Sequence, residues 1–299
     1  MAQPLLARLR QQSPDAKIDV LAPGWVAPVA RRMREVDDVI PAPLRHGALQ
    51  LGERWRLGRT LKARRYDQAF VLPNTWKSAL VPFFAGIPER VGYRGESRFG
   101  LLNRMREARA LPMREHYAEL ADPSGGTLDN PRLRVDATEI DAVLNKFSVE
   151  KPYAVLCPGA EYGPAKRWPY FQDFSSRLNL QVLVIGSSGD KEAGKGISGK
   201  NLVGRTTLDE AILLIAGAQV VVTNDSGLMH VAAALGRPQV ALFGSSSPQH
   251  TPPQSPAARV LWLHLECSPC YQRACPLGHF RCMKEITPEM VLSQIKNLS

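Results

Sequence analysis

No stretch of the 299-residue sequence is apolar for the length that a bilayer span requires; the richest, 211–222, is broken by Gly217 and Gln219. The opening "MAQPLLARLRQQ" has Arg8 and Arg10 where a secretory signal needs an unbroken hydrophobic run, so a cytoplasmic protein is expected. No nucleic-acid-binding module, internal repeat or low-complexity tract occurs, and no nucleic-acid partner is expected. Acidic residues are short in one half only. Residues 1–110 hold 20 Lys/Arg against 10 Asp/Glu, which accounts for the whole net charge of +10. Most such arginines simply face water. An excess confined to one half also suits an anionic partner, such as a phosphorylated sugar or an acidic membrane surface.

Strand and helix patterns alternate through both halves, which implies an α/β fold with parallel sheets covered by helices. In the first half "KIDVLAP", "DDVIPAP" and "DQAFVLP" read as strands, with "LGERWRLGRTLKARRYD" the clearest helix. In the second half the strands are "YAVLCPG", "LQVLVIGSS", "NLVG", "VVVTND" and "VALFGSS". Their spacers "PYFQDFSSRL", "LDEAILLIAGA" and "GLMHVAAALG" have helical period. Turn formers gather in "DPSGGTLDNPRLRV", the approach to a linker. Two Rossmann-like domains facing one another across a cleft are expected, 1–150 and 151–299. A doubly wound domain opens on a central strand, yet here an amphipathic helix comes first. The N-terminal domain therefore reads as lacking its first strand.

Ligands of open α/β sheets bind at the C-terminal edge of the strands. Three loops qualify. After "VVVT" come Asn224, Asp225, Ser226 and Gly227, then a helix with His230 one turn in. Free amides at that helix start can hold a diphosphate, and Gly227 allows close backbone approach. The alternative is that Asp225 or Ser226 only caps the helix and His230 packs. "CPGAEYGPAKRWP" repeats the arrangement, with Lys166 and Arg167 placed to meet a diphosphate or to face water. "GSSGDKEAG" carries Asp190 and Glu192, acceptors suited to ribose hydroxyls.

"GKGISGK" (194–200) satisfies Gly-x-Gly-x-x-Gly on paper, but a strand follows it and Asn201 stands where a P-loop needs Ser or Thr. It reads as a loop. No Asp-x-Asp clamp occurs, which disfavours metal-dependent sugar transfer. Four of the five cysteines crowd into "CSPCYQRACPLGHFRC": Cys267, Cys270, Cys275 and Cys282. A thiolate metal site is conceivable there, with His279 nearby, but the spacing matches no common zinc knuckle and ordinary loop thiols are expected.

"CPGAEYGPAKRWP", "VTNDSGLMHVAAALGRP" and "VLPNTWKSALVPFFAGIPERVGYRGESRFGLLN" resemble the ADP-heptose–lipopolysaccharide heptosyltransferases, most nearly the heptosyltransferase II branch. The resemblance covers nearly the whole chain. It implies a GT-B arrangement with ADP-heptose in the C-terminal domain and a phosphorylated Kdo–lipid A inner-core acceptor on the N-terminal side. It implies inverting transfer of L-glycero-D-manno-heptose onto the first heptose of the core, with neither metal nor cofactor. By resemblance Lys166 neutralises the leaving diphosphate, Asp225, Ser226, Gly227 and His230 meet the sugar diphosphate, and Glu192 takes the ribose. Asn74, Lys77, Arg94 and Arg98 are candidates on the acceptor side. The basic first half suits phosphates and Kdo carboxylates, and contact with the cytoplasmic face of the inner membrane. The family's opening strand and Gly-Asp loop, whose aspartate is thought to be the general base, have no counterpart here, so Met1 is expected to be an internal methionine. The competing expectations are a heptosyltransferase I-type choice of acceptor, a catalytically silent ADP-sugar-binding protein, and a Rossmann dehydrogenase.

Overall fold

The computed structural model describes residues 1–45 and 47–298. The chain forms two compact units, Met1–Asp129 and Asn130–Ser299. That division precedes the expected boundary at 150 by one helix, Ala137–Phe147. This helix packs on the helix Leu208–Ala216 and is held there by the Lys146–Glu210 ion pair, so it belongs with the second unit.

In the first unit the helix Gln3–Gln12 comes first. The strands are β1 (Asp19–Pro23), β2 (Asp38–Ala42), β3 (Gln68–Val71), β4 (Glu89–Tyr93) and β5 (Arg104–Arg106). All pairings are parallel, but β1 pairs only with β2, while β3, β4 and β5 form a separate sheet. Among the described residues no strand joins the two sheets. Arg64 clamps the start of the β1–β2 pair by bonding Asp19 and Asp38, at 2.9 and 2.7 Å. The helix Leu51–Lys62 lies where its pattern predicts, with Gly58 so close to Phe84 that a side chain there would collide.

In the second unit one sheet of six parallel strands forms the core. They are β6 (Tyr153–Cys157), β7 (Gln181–Val184), β8 (Lys200–Asn201), β9 (Val220–Asn224), β10 (Gln239–Leu242) and β11 (Ala258–Leu261). Their order is β11-β10-β9-β6-β7-β8. This is the doubly wound order, and the chain reverses direction across the sheet between β6 and β9. Every residue of β6, β9 and β10 is buried, as a parallel sheet covered on both faces requires. Trp168 stacks edge-on against Phe171 and Phe174 over one face. The helix Leu208–Ala216 covers apolar surface after a capping box in which Thr207 and Glu210 satisfy each other's amides.

The strand expected at "NLVG" is only two residues long. The preceding glycines form a turn-rich connection in which Asn201 bonds the Gly194 carbonyl. Lys200 bonds the carbonyls of Phe147 and Ser148, at a helix C-terminal end that favours a cation.

Candidate functional site

The reversal between β6 and β9 brings together the loops that follow them. Lys166, on the short turn Pro164–Lys166 after β6, forms an ion pair with Asp225, which follows β9. Both are largely buried, the side chains being 15% and 7% exposed. The Ser246 hydroxyl, on the loop after β10, donates to the same Asp225 carboxylate oxygen. Asn224 fixes the crossing from beneath. Its amide donates to the Pro158 carbonyl at 2.7 Å and its oxygen accepts the Trp168 amide at 3.1 Å. The Lys166 ammonium also stands 4.9 Å from the centre of the Tyr162 ring, within cation–π range.

The helix Gly227–Ala234 starts directly above this pair. Its preceding residue Ser226 is extended and no side chain caps the helix. The bland alternative for Asp225 and Ser226, that one of them caps the helix, is therefore not what happens. Asp225 bonds to Lys166 and Ser246 instead, and the Ser226 hydroxyl lies 3.2 Å from the Thr223 hydroxyl. The first-turn amides have no intrahelical acceptor and carry the positive end of the helix dipole. Gly227 is exposed, and a side-chain carbon built on it would meet nothing within 4 Å. His230 is half-buried, one turn in. Burial pushes its imidazole down to about 4. At neutral pH it is an uncharged hydrogen-bonding group.

The loop after β7 supplies the third edge. Asp190 caps its own turn by accepting from the Ser187 amide and hydroxyl, at 2.9 and 2.7 Å. Its carboxyl carbon lies 2.2 Å from where a side chain on Gly159 would begin, so only glycine fits beside it. Glu192 is exposed two residues further along the turn. Of the two acids it is Asp190 that borders the loop after β6. Ser246 and Asp190's contact with Gly159 were not anticipated from the sequence. The signal for Ser246 was its place directly after the strand "VALFGSS", at the same sheet edge.

In the first unit, Arg98 must be corrected as an acceptor candidate. It is 1% exposed, and its guanidinium bonds Pro73, Asn74 and Tyr93, joining the ends of β3 and β4. Asn74 is exposed but gives its side-chain oxygen to Arg98. Lys77 bonds the Gly47 carbonyl at 2.7 Å. Arg94 is exposed, pairs with Glu107 and lies over Phe99. Beside them an open hollow of about 640 Å³ is lined by Trp76, Glu96 and Ser97.

Comparison with known proteins gives the family. The family profile of glycosyltransferase family 9 (heptosyltransferase) matches residues 54–281. Lipopolysaccharide heptosyltransferase 2 of Escherichia coli K12 is 46% identical, with 100% of this chain and 94% of that protein covered. The protein of the same name from Salmonella typhimurium is 45% identical at the same coverage. Among solved structures, that of E. coli ADP-heptose lps heptosyltransferase II superposes with a TM-score of 0.87 at 42% identity, over 99% of this chain and 93% of that one. The α/β fold of parallel sheets, the uncapped helix facing Lys166 and a likeness that runs the length of the chain lead to one assignment: the protein belongs to glycosyltransferase family 9, the heptosyltransferases.

Proposed function

We propose that this enzyme transfers L-glycero-D-manno-heptose from ADP-heptose to the first heptose of the lipopolysaccharide inner core, with inversion and without a metal at the donor diphosphate. The observation that carries the reading is the convergence of Lys166 with the uncapped helix start at Gly227 on the switch point of the sheet. A diphosphate placed there meets backbone amides, the helix dipole and one ammonium group. As the glycosidic bond to ADP breaks, charge grows on the departing phosphate, and these fixed donors stabilise it without rearranging. Asp225 and Ser246 hold Lys166 in place, the uncharged His230 is positioned to hydrogen-bond the donor, and Asp190 or Glu192 takes the ribose. The resemblance to proteins named heptosyltransferase 2 favours this acceptor over a heptosyltransferase I-type choice, over a silent ADP-sugar binder and over a dehydrogenase.

The acceptor is a phosphorylated Kdo–lipid A core, and the basic first half supports its approach and a peripheral contact with the anionic cytoplasmic face of the inner membrane. No helix among the described residues is long and apolar enough to cross a membrane. The test is ADP release from ADP-heptose with Kdo–lipid A acceptors carrying no heptose or one. Turnover restricted to the mono-heptosylated acceptor supports the proposal. Turnover restricted to the heptose-free acceptor replaces it with the other acceptor choice, and ADP binding without release leaves a silent binder.

A further inference from the structure

Four thiols converge beside the donor loops. Cys267, Cys270, Cys275 and Cys282, none of them in a disulfide, line a cavity of about 20 Å³ together with His279 and Ser245. A cavity of roughly 10–15 Å³ already admits one water, so this one suits a single small occupant. The Ser245 hydroxyl on its wall is 1% exposed and has no hydrogen-bond partner within the protein. Buried polar groups are nearly always satisfied, and an orphan on a cavity wall points to something that fills the cavity. The turn Cys275–Phe280 curls around one sulfur. The Phe280 amide donates to Cys275 Sγ at 3.4 Å, and His279 Nδ1 lies 4.0 Å from it. Cys282 is 9% exposed and seated so close to Gly244 that a side chain there would stand 3.1 Å from its sulfur.

We propose that these four cysteines bind one thiophilic divalent transition-metal ion of the zinc class, as a structural site apart from the donor pocket. Thiolates are the ligands that soft and borderline ions select, and four of them suit a closed tetrahedral site. Among the described residues no three His, Cys, Asp or Glu side chains are already grouped tightly enough to hold an ion. Ligation therefore draws the sulfurs together: bound at about 2.3 Å from one ion, they come to stand about 3.8 Å apart. Each thiol releases its proton to solvent as it binds.

The position of the cluster gives it a role. The cysteine loop bonds both loops of the donor site. The Ala165 amide donates to the Arg273 carbonyl at 3.1 Å, and Gly163 lies against that same carbonyl. On the other side the Tyr271 amide donates to Ser245 O at 2.7 Å, and the Ser268 hydroxyl donates to Gly244 O at 2.6 Å. One ion would thus brace the neighbours of Lys166 and Ser246 together. The proposal does not depend on which sugar is transferred.

The test is an anaerobic titration of the full chain, reduced and stripped with chelator, using Co(II) alone. The expected result is saturation at one equivalent, with sulfur-to-cobalt charge-transfer absorption and tetrahedral d–d bands that one equivalent of Zn(II) abolishes. Zn(II) should also protect four of the five thiols from a disulfide reagent; Cys157, 1% exposed in β6, reacts slowly with or without metal. The Cys267→Ser/Cys270→Ser double variant should lose both effects. No saturable band, thiol reactivity that Zn(II) leaves unchanged, or bands that survive in the double variant would each overturn the proposal. If the variant does not fold, the unaltered chain's titration and thiol protection still decide.

Discussion

Lys166 and Asp225 hold each other in a place where neither is well hydrated, and that makes their energetics asymmetric. Removing one partner strands a buried charge, at a cost of about 3–5 kcal/mol, whereas replacing both with neutral groups of similar shape is far milder. Lys166→Ala is therefore expected to lose stability of that order in urea unfolding. It should also weaken ADP by about 10–100-fold in calorimetry, the worth of one charge-assisted hydrogen bond. A Lys166→Met/Asp225→Asn double variant should regain most of the stability and none of the ADP affinity, which separates holding the fold from holding the diphosphate. His230 has a pH signature. Its folded value of about 4 lies below the ordinary 6.5, so the unfolded chain takes up a proton that the folded chain refuses. Stability from this residue is full above 6.5 and falls as pH drops from 6.5 towards 4. His230→Gln should flatten that part of the profile when urea midpoints at pH 7 and pH 5 are compared. That Lys166 and Asp225 lie at the same sheet edge was legible in the sequence because each lies in a loop leaving a recognisable strand. Ser246 was not, because its role depends on β10 lying next to β9, and Arg98 misled because an arginine beside turn residues looks exposed until its three oxygen partners are seen.

Among the elements, the uncapped helix Gly227–Ala234 offers the sharpest separation of structure from function. Gly227 has room around it, and its backbone does not need the left-handed conformation that favours glycine. By helix propensity alone Gly227→Ala should be neutral or stabilising by up to about 1 kcal/mol. A diphosphate lying against the helix start requires the opposite for binding: ADP affinity should fall while the melting temperature holds or rises. Equal ADP affinity in the variant would remove the helix start from the site. The wholly buried strands β6, β9 and β10 were readable because burial on both faces favours runs of β-branched and aliphatic residues. Strands β4, β5 and β11 escaped notice because charged residues interrupt them: Glu89 and Arg90, Arg104 and Arg106, and Arg259. The helix Ala137–Phe147 was hidden beside a linker, although its Asp136–Glu139 capping box is a sequence-level start signal.

For the molecule as a whole, the charge is divided as sharply as the strands. The excess of ten positive charges lies within residues 1–110, and the remainder is balanced. Binding of the protein to vesicles containing anionic phospholipid is therefore expected at low ionic strength. It should fall away as salt rises from roughly 0.05 to 0.5 M, because screening shortens the reach of exposed charges. Neutral vesicles should bind little at any salt; equal binding to both would mean that the charge is only a solvated surface. The two sheets of the first unit also have a consequence in time. Strand β1 has one neighbour, whereas β6 and β9 are each flanked on both sides and wholly buried. Segments open locally with free energies that follow such burial and pairing. Amide deuteration should therefore reach β1 and β2 well before β6 and β9, leaving the loops that carry Lys166 and Asp225 anchored to the slowest-exchanging of the described strands.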